Sequence, residues 1–321
     1  MVHGSEELER PPRRAVVTIG NFDGVHLGHR AIMDVVTGRA RALGGEAAVY
    51  TFDPHPRRVL APDRPLGLLT TLEQKLELLE DLGVDLVVVE PFTREFAATP
   101  ADVFVREILH RRFRPREVYV GYDFHFGRDR EGSMRTLTEL GPRLGFAVTI
   151  VPEVTVEGED VNSTRIRRLL AEGRVEVAAR LLGRPYAIRG RVARGDRRGR
   201  ELGFPTLNLD PESEVLPRAG VYAGEVRFLD SGDPPPREAL PAVINVGTRP
   251  TVDRSGRVLA EAHVPGRDFD AYGRRVEMRF RARLRDERRF PDLVALRAQI
   301  RRDCEAALAR LGRGEVAGSA E

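Results

Sequence analysis

The chain has 321 residues, of which 41% are hydrophobic and 31% charged, with a formal net charge of +3 and one cysteine. This length favours about two domains, and no apolar run approaches the roughly 20 residues that a membrane-spanning helix needs. A single cysteine excludes an internal disulfide, and the polar start lacks the apolar core of a secretory signal, so we expect a cytoplasmic protein.

Arginine supplies almost all of the basic residues, and Lys75 is the only lysine in the chain. A P-loop of the form G-x-x-x-x-G-K-[ST] requires a lysine beside the β- and γ-phosphates. The sequence therefore excludes this type of nucleotide site.

Strands and helices alternate through the first half of the chain. Residues 15–43 predict a strand, a glycine turn and a helix that begins near Val25. Further strands are predicted at 46–53, 84–92, 117–127 and 146–154, and helices at 71–83, 100–113 and 133–145. This alternation is typical of a doubly wound α/β domain with a parallel sheet.

The pattern changes after residue 182, where short β-rich segments separated by turn residues predict an antiparallel barrel. A last helix is predicted at 291–312, with one apolar stripe at 3–4 spacing. The stripe consists of Leu293, Leu296, Ile300, Cys304, Leu308 and Leu311. We therefore expect Cys304 to pack in the core rather than to act as a nucleophile. The expected segments are a flexible start at 1–14, an α/β domain at 15–182, a barrel with its terminal helix at 183–312 and a flexible tail at 313–321.

The stretch GNFDGVHLGHR, residues 20–30, follows the first predicted strand of the α/β domain. A loop in this place lies at the carboxyl edge of the sheet, where ligands of open α/β folds bind. His26 and His29 would share one face of the first helical turn, beside N–H groups that favour a phosphate. A zinc site would need further ligands, for which only scattered candidates such as His55 and His125 exist. Phosphate binding is favoured, with a metal site and a purely structural turn as alternatives.

An ordered set of motifs extends this prediction over nearly the whole chain, from about residue 15 to 312. The motifs are GNFDGVHLGH, TFDPHPRRVL, VGYDFHFGRDREG, NSTRIRRLLAEG, GRELGFPTLNL, GVYAGEV and INVGTRPT. Together they resemble the bacterial bifunctional riboflavin kinase/FMN adenylyltransferases, or FAD synthetases. The resemblance implies that the first domain joins the AMP part of ATP to FMN, which gives FAD and pyrophosphate. It implies that the second domain phosphorylates riboflavin to FMN with ATP.

In the first domain, the resemblance implies that His26 and His29 are catalytic and hold the triphosphate during an in-line attack by the FMN phosphate. The nucleotide-binding residues that it implies there are Gly20, Asn21, Phe22, Asp23, Gly28, Asn162, Ser163, Thr164 and Arg167. The implied flavin-binding residues are Phe52, Pro54, His55 and Asp123. Packing is an alternative explanation for Phe52, and turn formation is one for Asp23.

In the second domain, the resemblance implies a glycine-rich nucleotide loop that contains Gly195 and Gly199. Thr206 and Asn208 alternate along a predicted strand, so both side chains would lie on one face, and oxygen ligands of this kind suit Mg²⁺ bound jointly with ATP. Glu261 matches the general base of the family, with a solvated edge carboxylate as the alternative. The stretch HVPGRDFDAYG departs from the family pattern, because a Pro-Gly pair interrupts the strand expected there.

Two other functions are weighed against this one. An arginine-rich barrel could bind RNA, but aromatic residues make up only 6% of the chain and no stacking strand accompanies the glycine-arginine loop. A nucleotidyltransferase that acts on another cofactor precursor would leave the second domain unexplained. The expected partners are therefore ATP, riboflavin and FMN, with no nucleic acid and no membrane, and a homo-oligomer is left open.

Overall fold

The computed structural model describes residues 1–64, 66–194, 199, 202–233, 238–248 and 258–312. The chain forms two compact units, the first from Met1 to Asn162 and the second from Ser163 onward. This division places residues 163–182 in the second unit, whereas the sequence pattern predicted them as part of the α/β domain. The domain limits given above stay predictions.

The first unit is built on a six-stranded parallel sheet with the strand order β1-β4-β3-β2-β5-β8. Its strands are β1 Val2–His3, β2 Val16–Ile19, β3 Ala47–Asp53, β4 Leu86–Pro91, β5 Glu117–Gly121 and β8 Ala147–Val151. All four residues of β2 are buried, as expected for a central strand that is covered on both faces. The chain proceeds from β2 to one side of the sheet and later to the other, so the strand order reverses beside β2.

Helices and two small hairpins complete the first unit. The helices are α1 Leu27–Leu43, α2 Pro56–Leu60, α3 Leu72–Asp81, α4 Arg94–Ala97, α5 Ala101–Val103 and α6 Met134–Arg143. The hairpins pair β6 His125–Phe126 with β7 Gly132–Ser133, and β9 Thr155–Val156 with β10 Glu159–Asp160. The helix predicted at 100–113 is present as α5 followed by a π-helix over Phe104–Phe113. One prediction needs correction, because the strand predicted at 117–127 ends at Gly121.

The first residues of the chain, predicted as a flexible segment, include the edge strand β1, which pairs with β4. A buried glutamate in β4 holds them there. Glu90 accepts hydrogen bonds from the Ser5 N–H at 2.8 Å and the Ser5 hydroxyl at 2.5 Å, and from the Tyr50 hydroxyl at 2.6 Å. Composition alone gave no signal for this pairing, because it depends on a partner 85 residues away.

The second unit is a closed barrel in which all neighbouring strands are antiparallel, in the order β11-β12-β15-β14-β13-β16. Its helices are α7 Ser163–Ala171, α8 Val175–Leu182 and α9 Leu293–Gly312. Its strands are β11 Tyr186–Ala193, β12 Leu207–Pro211, β13 Gly220–Phe228, β14 Ala239–Thr248, β15 Val258–His263 and β16 Arg275–Arg285. The predicted fold class, an α/β unit with a parallel sheet followed by an antiparallel barrel and a terminal helix, is confirmed.

The buried face of α9 differs from the predicted apolar stripe. Leu293 and Leu308 are 63% and 47% exposed, whereas Gln299, Asp303 and Ala307 are buried. The reason is a hydrogen-bonded ion pair with the last residue of β16: the Arg285 guanidinium donates to the Asp303 carboxylate at 2.6–3.1 Å. This pairing turns a polar edge of the helix towards the barrel. Cys304 is half-buried beside it, and burial raises the pKa of its thiol to about 11.

A second ion pair is almost removed from solvent. Arg189 Nε lies 2.8 Å from Glu277 Oε2, and the two side chains are 4% and 5% exposed. Arg227 and Arg279 lie 3.2 and 2.8 Å from the other oxygen of Glu277. Burial acts to raise the pKa of Glu277, but the three guanidinium groups outweigh it and hold this pKa below its usual value.

Candidate active sites

The loop between β2 and α1, residues 20–26, leaves the carboxyl end of the central strand at the point where the strand order reverses. Ligands of doubly wound folds bind in the crevice at this point. The loop is tightly constrained, since Phe22 and Val25 adopt φ angles of 49° and 39° and are 2% and 1% exposed. A β-branched residue in this region of backbone space is held there by its surroundings, and such strain is common at functional sites.

His26 and His29 lie at the N-terminus of α1. The helix begins at Leu27 and not near Val25 as predicted, because the left-handed backbone of Val25 cannot belong to a helix. His26 is the N-cap, and its Nδ1 accepts a hydrogen bond from the His29 N–H at 3.4 Å. The two imidazole rings are stacked, with centroids 3.6 Å apart and an interplanar angle of 18°.

Gly28 and Phe22 contact the two histidine rings and fix their positions. A Cβ at Gly28 would lie 3.2 Å from Cε1 and Nδ1 of His26, so a larger residue would push this ring. The Phe22 ring meets His29 edge to face at 5.2 Å. Phe22 also covers Gly20, where a Cβ would lie 2.9 Å from the ring. The helix therefore starts with two ordered rings beside the N–H groups of its first turn.

Asp23 is 6% exposed, and its carboxylate accepts backbone hydrogen bonds from Leu69 at 2.9 Å and Thr70 at 3.3 Å. The Gly24 N–H donates to the Thr70 hydroxyl at 3.2 Å. These contacts tie the loop to the segment that precedes α3. The position of Asp23 fits a supporting role for the loop; its contact with a nucleotide stays a prediction.

The predicted flavin residues lie at the ends of the two strands that flank β2. Phe52 and Pro54 lie at the end of β3, and His55 caps α2 by accepting a hydrogen bond from the Arg57 N–H at 3.1 Å. Asp123 is exposed just beyond β5. The Phe52 ring is part of an aromatic cluster, with centroids 5.3 Å from Tyr50 and 5.6 Å from Phe92. Three adjacent strands thus bring the histidine pair and these residues to one edge of the sheet.

The NSTRIR motif lies at the division between the two units. Asn162 is the last residue of the first unit and is exposed. Ser163 is the first residue of α7, followed by exposed Thr164 and half-buried Arg167. The contribution of this helix start to nucleotide binding stays a prediction.

In the second unit, three polar side chains lie next to one another across three strands. Asn208 of β12 is paired with Glu261 of β15, and Glu261 is paired with Asn245 of β14. Residues directly opposite in adjacent strands have their side chains on the same face of the sheet. Val243 lies on this face too, and it packs with Ala307 of α9, so the polar row lies on the outer face of the barrel.

Thr206 extends the polar row. The Asn208 amide donates to the Thr206 hydroxyl at 3.4 Å, so the two predicted metal ligands are neighbours. His263 holds the chain that precedes them, with its Nδ1 2.8 Å from the Pro205 carbonyl oxygen and its ring edge to face with Phe204 at 5.4 Å. Glu261 is half-buried beside these residues.

Sequence reasoning missed Asn245, Glu287 and His263. The Asn245 amide donates to the Glu287 carboxylate at 3.3 Å, and a Cβ at Gly247 would overlap this carboxylate. Asn245 had a readable signal, because it is a lone amide in the otherwise apolar strand PAVINVG. Glu287 had none, since it lies 42 residues further along in a loop.

A pocket lies beside Thr206 and Asn208. The loop 264–272 forms much of its wall, because β15 ends at His263 and a turn at Gly266, with φ 72°, follows. This is the stretch that departs from the family pattern. The residues that line the pocket are Val192, Gly199, Pro205, Thr206, Leu207, Asn208, Val264, Arg267, Asp268, Phe269, Ala271 and Tyr272. Gly195 of the predicted nucleotide loop lies outside the described residues.

The side chains of the two sites can be compared with the zinc and magnesium sites considered from the sequence. Among the described residues, no group of three or more His, Cys, Asp or Glu side chains is placed to hold a metal ion. The side-chain oxygens of Thr206 and Asn208 are of the kind that Mg²⁺ prefers, and substrate phosphates and water would complete its coordination shell. The donor set of the second unit therefore fits magnesium.

Family models match both units. Residues 8–165 match FAD synthetase, and residues 182–311 match riboflavin kinase. Among curated relatives, the protein of Escherichia coli strain K12 is 40% identical over 304 residues, covering 94% of this chain and 95% of its own. Those of Haemophilus influenzae and Bacillus subtilis are 36% and 33% identical and cover at least 96% of both chains. All three are named bifunctional riboflavin kinase/FMN adenylyltransferase.

A solved structure shares the whole architecture. A crystal structure described as a macrolide-efflux protein from Streptococcus pneumoniae has a TM-score of 0.84 and 27% identity, and the match covers 96% of this chain and 99% of the other. The likeness shows a common fold. Within the described part of this chain, none of the helices combines the length and the apolar character needed to cross a bilayer.

A nucleotidyltransferase-like α/β unit followed by a riboflavin kinase barrel defines the class: the chain is a two-domain transferase of flavin cofactor synthesis. The relatives match both domains at 33–40% identity over nearly the full chain. The chain belongs to the bifunctional riboflavin kinase/FMN adenylyltransferase family. The resemblance inferred from the sequence motifs is confirmed.

Proposed function

We propose that the two reactions take place at the two sites described above, FMN adenylylation at the start of α1 and riboflavin phosphorylation at the outer face of the barrel. The stacked pair His26 and His29, at the carboxyl end of the central strand, is the observation that carries the proposal. Its position beside the first-turn N–H groups of a 17-residue helix suits a triphosphate.

In adenylyl transfer, a phosphate oxygen of FMN attacks the α-phosphorus of ATP. The new P–O bond gives FAD, the bond between the α-phosphorus and the bridging oxygen breaks, and pyrophosphate leaves. No protein nucleophile is required, so positioning and charge stabilisation supply the catalysis. His26 and His29 hold the phosphates as negative charge shifts to the leaving group. The turn at 53–55 and Asp123, on the flanking strands, bound the flavin side.

In riboflavin phosphorylation, the 5′-hydroxyl of riboflavin attacks the γ-phosphorus of ATP, and ADP leaves. Glu261 accepts the hydroxyl proton as general base. Thr206 and Asn208 would hold Mg²⁺ together with the phosphates of ATP. A bound magnesium ion neutralises charge on the transferred phosphoryl group. Asn208 and Asn245 lie on either side of Glu261 in the ladder, so their amides would flank this carboxylate and the substrate that it meets.

A time course tests the proposal. Purified protein is supplied with riboflavin, ATP and MgCl₂, and the flavins are separated by chromatography. FMN should appear first and then decline as FAD accumulates, and supplied FMN should be converted to FAD without a lag. Chelation of magnesium should stop the first step. If neither flavin product forms, or if chelation leaves riboflavin phosphorylation unchanged, the proposal or its magnesium assignment is overturned.

The remaining partner assignments are part of the same proposal. The chain acts on small molecules in the cytoplasm, and neither reaction needs a nucleic acid or a membrane. Sedimentation of the protein with and without substrates measures whether it forms an oligomer.

A further inference from the structure

The chain uses arginine at every basic position except one. Of its 52 lysine and arginine residues, Lys75 is the only lysine. It lies in the first half of α3 and is 8% exposed. Arginine carries a planar fork of five donors, whereas lysine presents a compact ammonium on a flexible stem, so the two are not interchangeable in a closed space. A single lysine in such a chain marks a position whose neighbours fit an ammonium.

The ammonium of Lys75 joins three elements of the first unit. Its Nζ donates to the Thr51 hydroxyl of β3 at 3.1 Å and to the Asn21 carbonyl oxygen at 3.4 Å. The Thr51 hydroxyl also donates to the Asn21 carbonyl oxygen, at 3.3 Å. The three groups form a closed triangle, and its third corner is the main chain of the loop that leads to His26.

A stability role alone does not account for a cation at this place. Burial lowers the pKa of Lys75, and the carboxylates of Asp53 and Asp23 act against this effect. Leu72, Leu76 and Leu79 of α3 pack against one core cluster, and the other buried polar side chain of this helix, Gln74, belongs to its capping box. Replacing a buried charge by an apolar residue is often neutral or stabilising. The hydrogen bonds of Lys75 to Thr51 and to the Asn21 carbonyl oxygen are therefore the observations that carry the inference.

We propose that Lys75 is a positioning residue for adenylyl transfer, which fixes the loop 20–25 through Thr51 and the Asn21 carbonyl so that His26 and His29 meet the triphosphate. This inference rests on the function proposed above for that loop. Lys75 acts through the main chain of the loop and not by contact with the reacting atoms. A displacement of reacting groups by about 1 Å lowers a rate about 100-fold, which sets the size of the expected effect.

The test compares Lys75→Met, Lys75→Arg and Thr51→Val with the wild-type protein. Thr51→Val keeps the side-chain volume and the lysine but removes two hydrogen bonds of the triangle. Arg106→Met removes an exposed cation of the same unit and serves as the matched control. Each variant is assayed for FAD formation from FMN and ATP and for FMN formation from riboflavin, and hydrogen exchange is followed by mass spectrometry.

We expect Lys75→Met to lower kcat for FAD formation about 100-fold, and Lys75→Arg and Thr51→Val to lower it about tenfold. Riboflavin phosphorylation should stay within about twofold of wild type, since a separate unit carries it. Amides 20–25 should exchange faster, whereas those of β4 should not change. Arg106→Met should behave as wild type in every measurement.

The proposal is overturned if Lys75→Met or Thr51→Val keeps FAD formation within threefold of wild type. It is also overturned if FAD formation is lost while exchange in the loop is unchanged, because the lysine would then act directly. If Lys75→Met does not fold, Thr51→Val decides. His29→Ala, measured in the same series, separates the two proposals: if it retains FAD formation, the proposed site itself is wrong.

Discussion

Replacement of His26 by asparagine and by alanine separates its chemistry from its structural role. His26 contributes to the first unit as an N-cap and as a stacked ring. Asparagine is among the best N-cap residues, so His26→Asn keeps the capping acceptor and loses the ring. His26→Ala loses both. If the imidazole stabilises the triphosphate, both variants should be inactive in FAD formation although their stabilities differ.

The structure sets the magnitudes. The capping hydrogen bond is long at 3.4 Å, which places its contribution at the lower end, about 0.5–1 kcal/mol. The stacked ring pair contributes about 0.5–1.5 kcal/mol. His26→Ala should therefore lower the free energy of unfolding by about 1–2.5 kcal/mol, and His26→Asn by about 0.5–1.5 kcal/mol. Loss of one group that stabilises developing charge lowers kcat by about 10²–10³-fold.

Calorimetry measures the stabilities, and chromatography of FMN and FAD measures the rates. Riboflavin phosphorylation in the same samples is the internal control, because it belongs to the other unit. The expected result is a stable His26→Asn protein that phosphorylates riboflavin and does not form FAD at a comparable rate. If His26→Asn forms FAD within threefold of wild type, the ring has no chemical role and His26 only caps the helix.

Three further predictions concern single positions. Gly28→Ala should lower the rate of FAD formation about tenfold, because the added Cβ meets the His26 ring at 3.2 Å and displaces it. Riboflavin kinase activity should be retained, and an unchanged rate of FAD formation would show that the position of the ring is not critical. Glu277→Leu leaves Arg189 buried without its carboxylate and should lower the free energy of unfolding by about 3–5 kcal/mol near neutral pH. The pKa of Glu277 is lowered in the folded state, so its stabilisation is fully present above the unfolded-state pKa of about 4.3. This stabilisation is lost as the pH falls through the folded-state pKa. The difference between the two proteins in free energy of unfolding, measured with urea, should therefore shrink in acid. Cys304, with a pKa of about 11, should react with a disulfide reagent at pH 8 at about a thousandth of the thiolate-limited rate, and labelling as fast as a small free thiol would contradict its packing.

The sequence predicted the elements that depend on local pattern. Continuous apolar strands such as LVVVE and helices with caps and apolar spacing were located to within a few residues. One example is α3, which begins at a capping box formed by Thr71 and Gln74. The motif GNFDGVHLGH predicted where the first site lies, because a strand, a turn and a helix start follow one another within it.

What the sequence did not predict depends on partners far along the chain. The pairing of β1 requires Glu90, and the burial of Asp303 in α9 requires Arg285, so neither follows from local hydrophobicity. The triangle of Lys75, Thr51 and Asn21 joins residues up to 54 positions apart. Supporting contacts of this kind have no local spacing rule, whereas the side chains they hold lie in recognisable motifs.

The assay of His29→Ala beside Glu261→Ala tests most directly whether the two reactions have separate sites. With His29 replaced, the protein should still convert riboflavin to FMN and should fail to convert FMN to FAD. With Glu261 replaced, it should fail to phosphorylate riboflavin and should still form FAD from supplied FMN. Loss of both reactions in either folded variant, or retention of both, would contradict the assignment of one reaction to the histidine pair and the other to the carboxylate of the barrel.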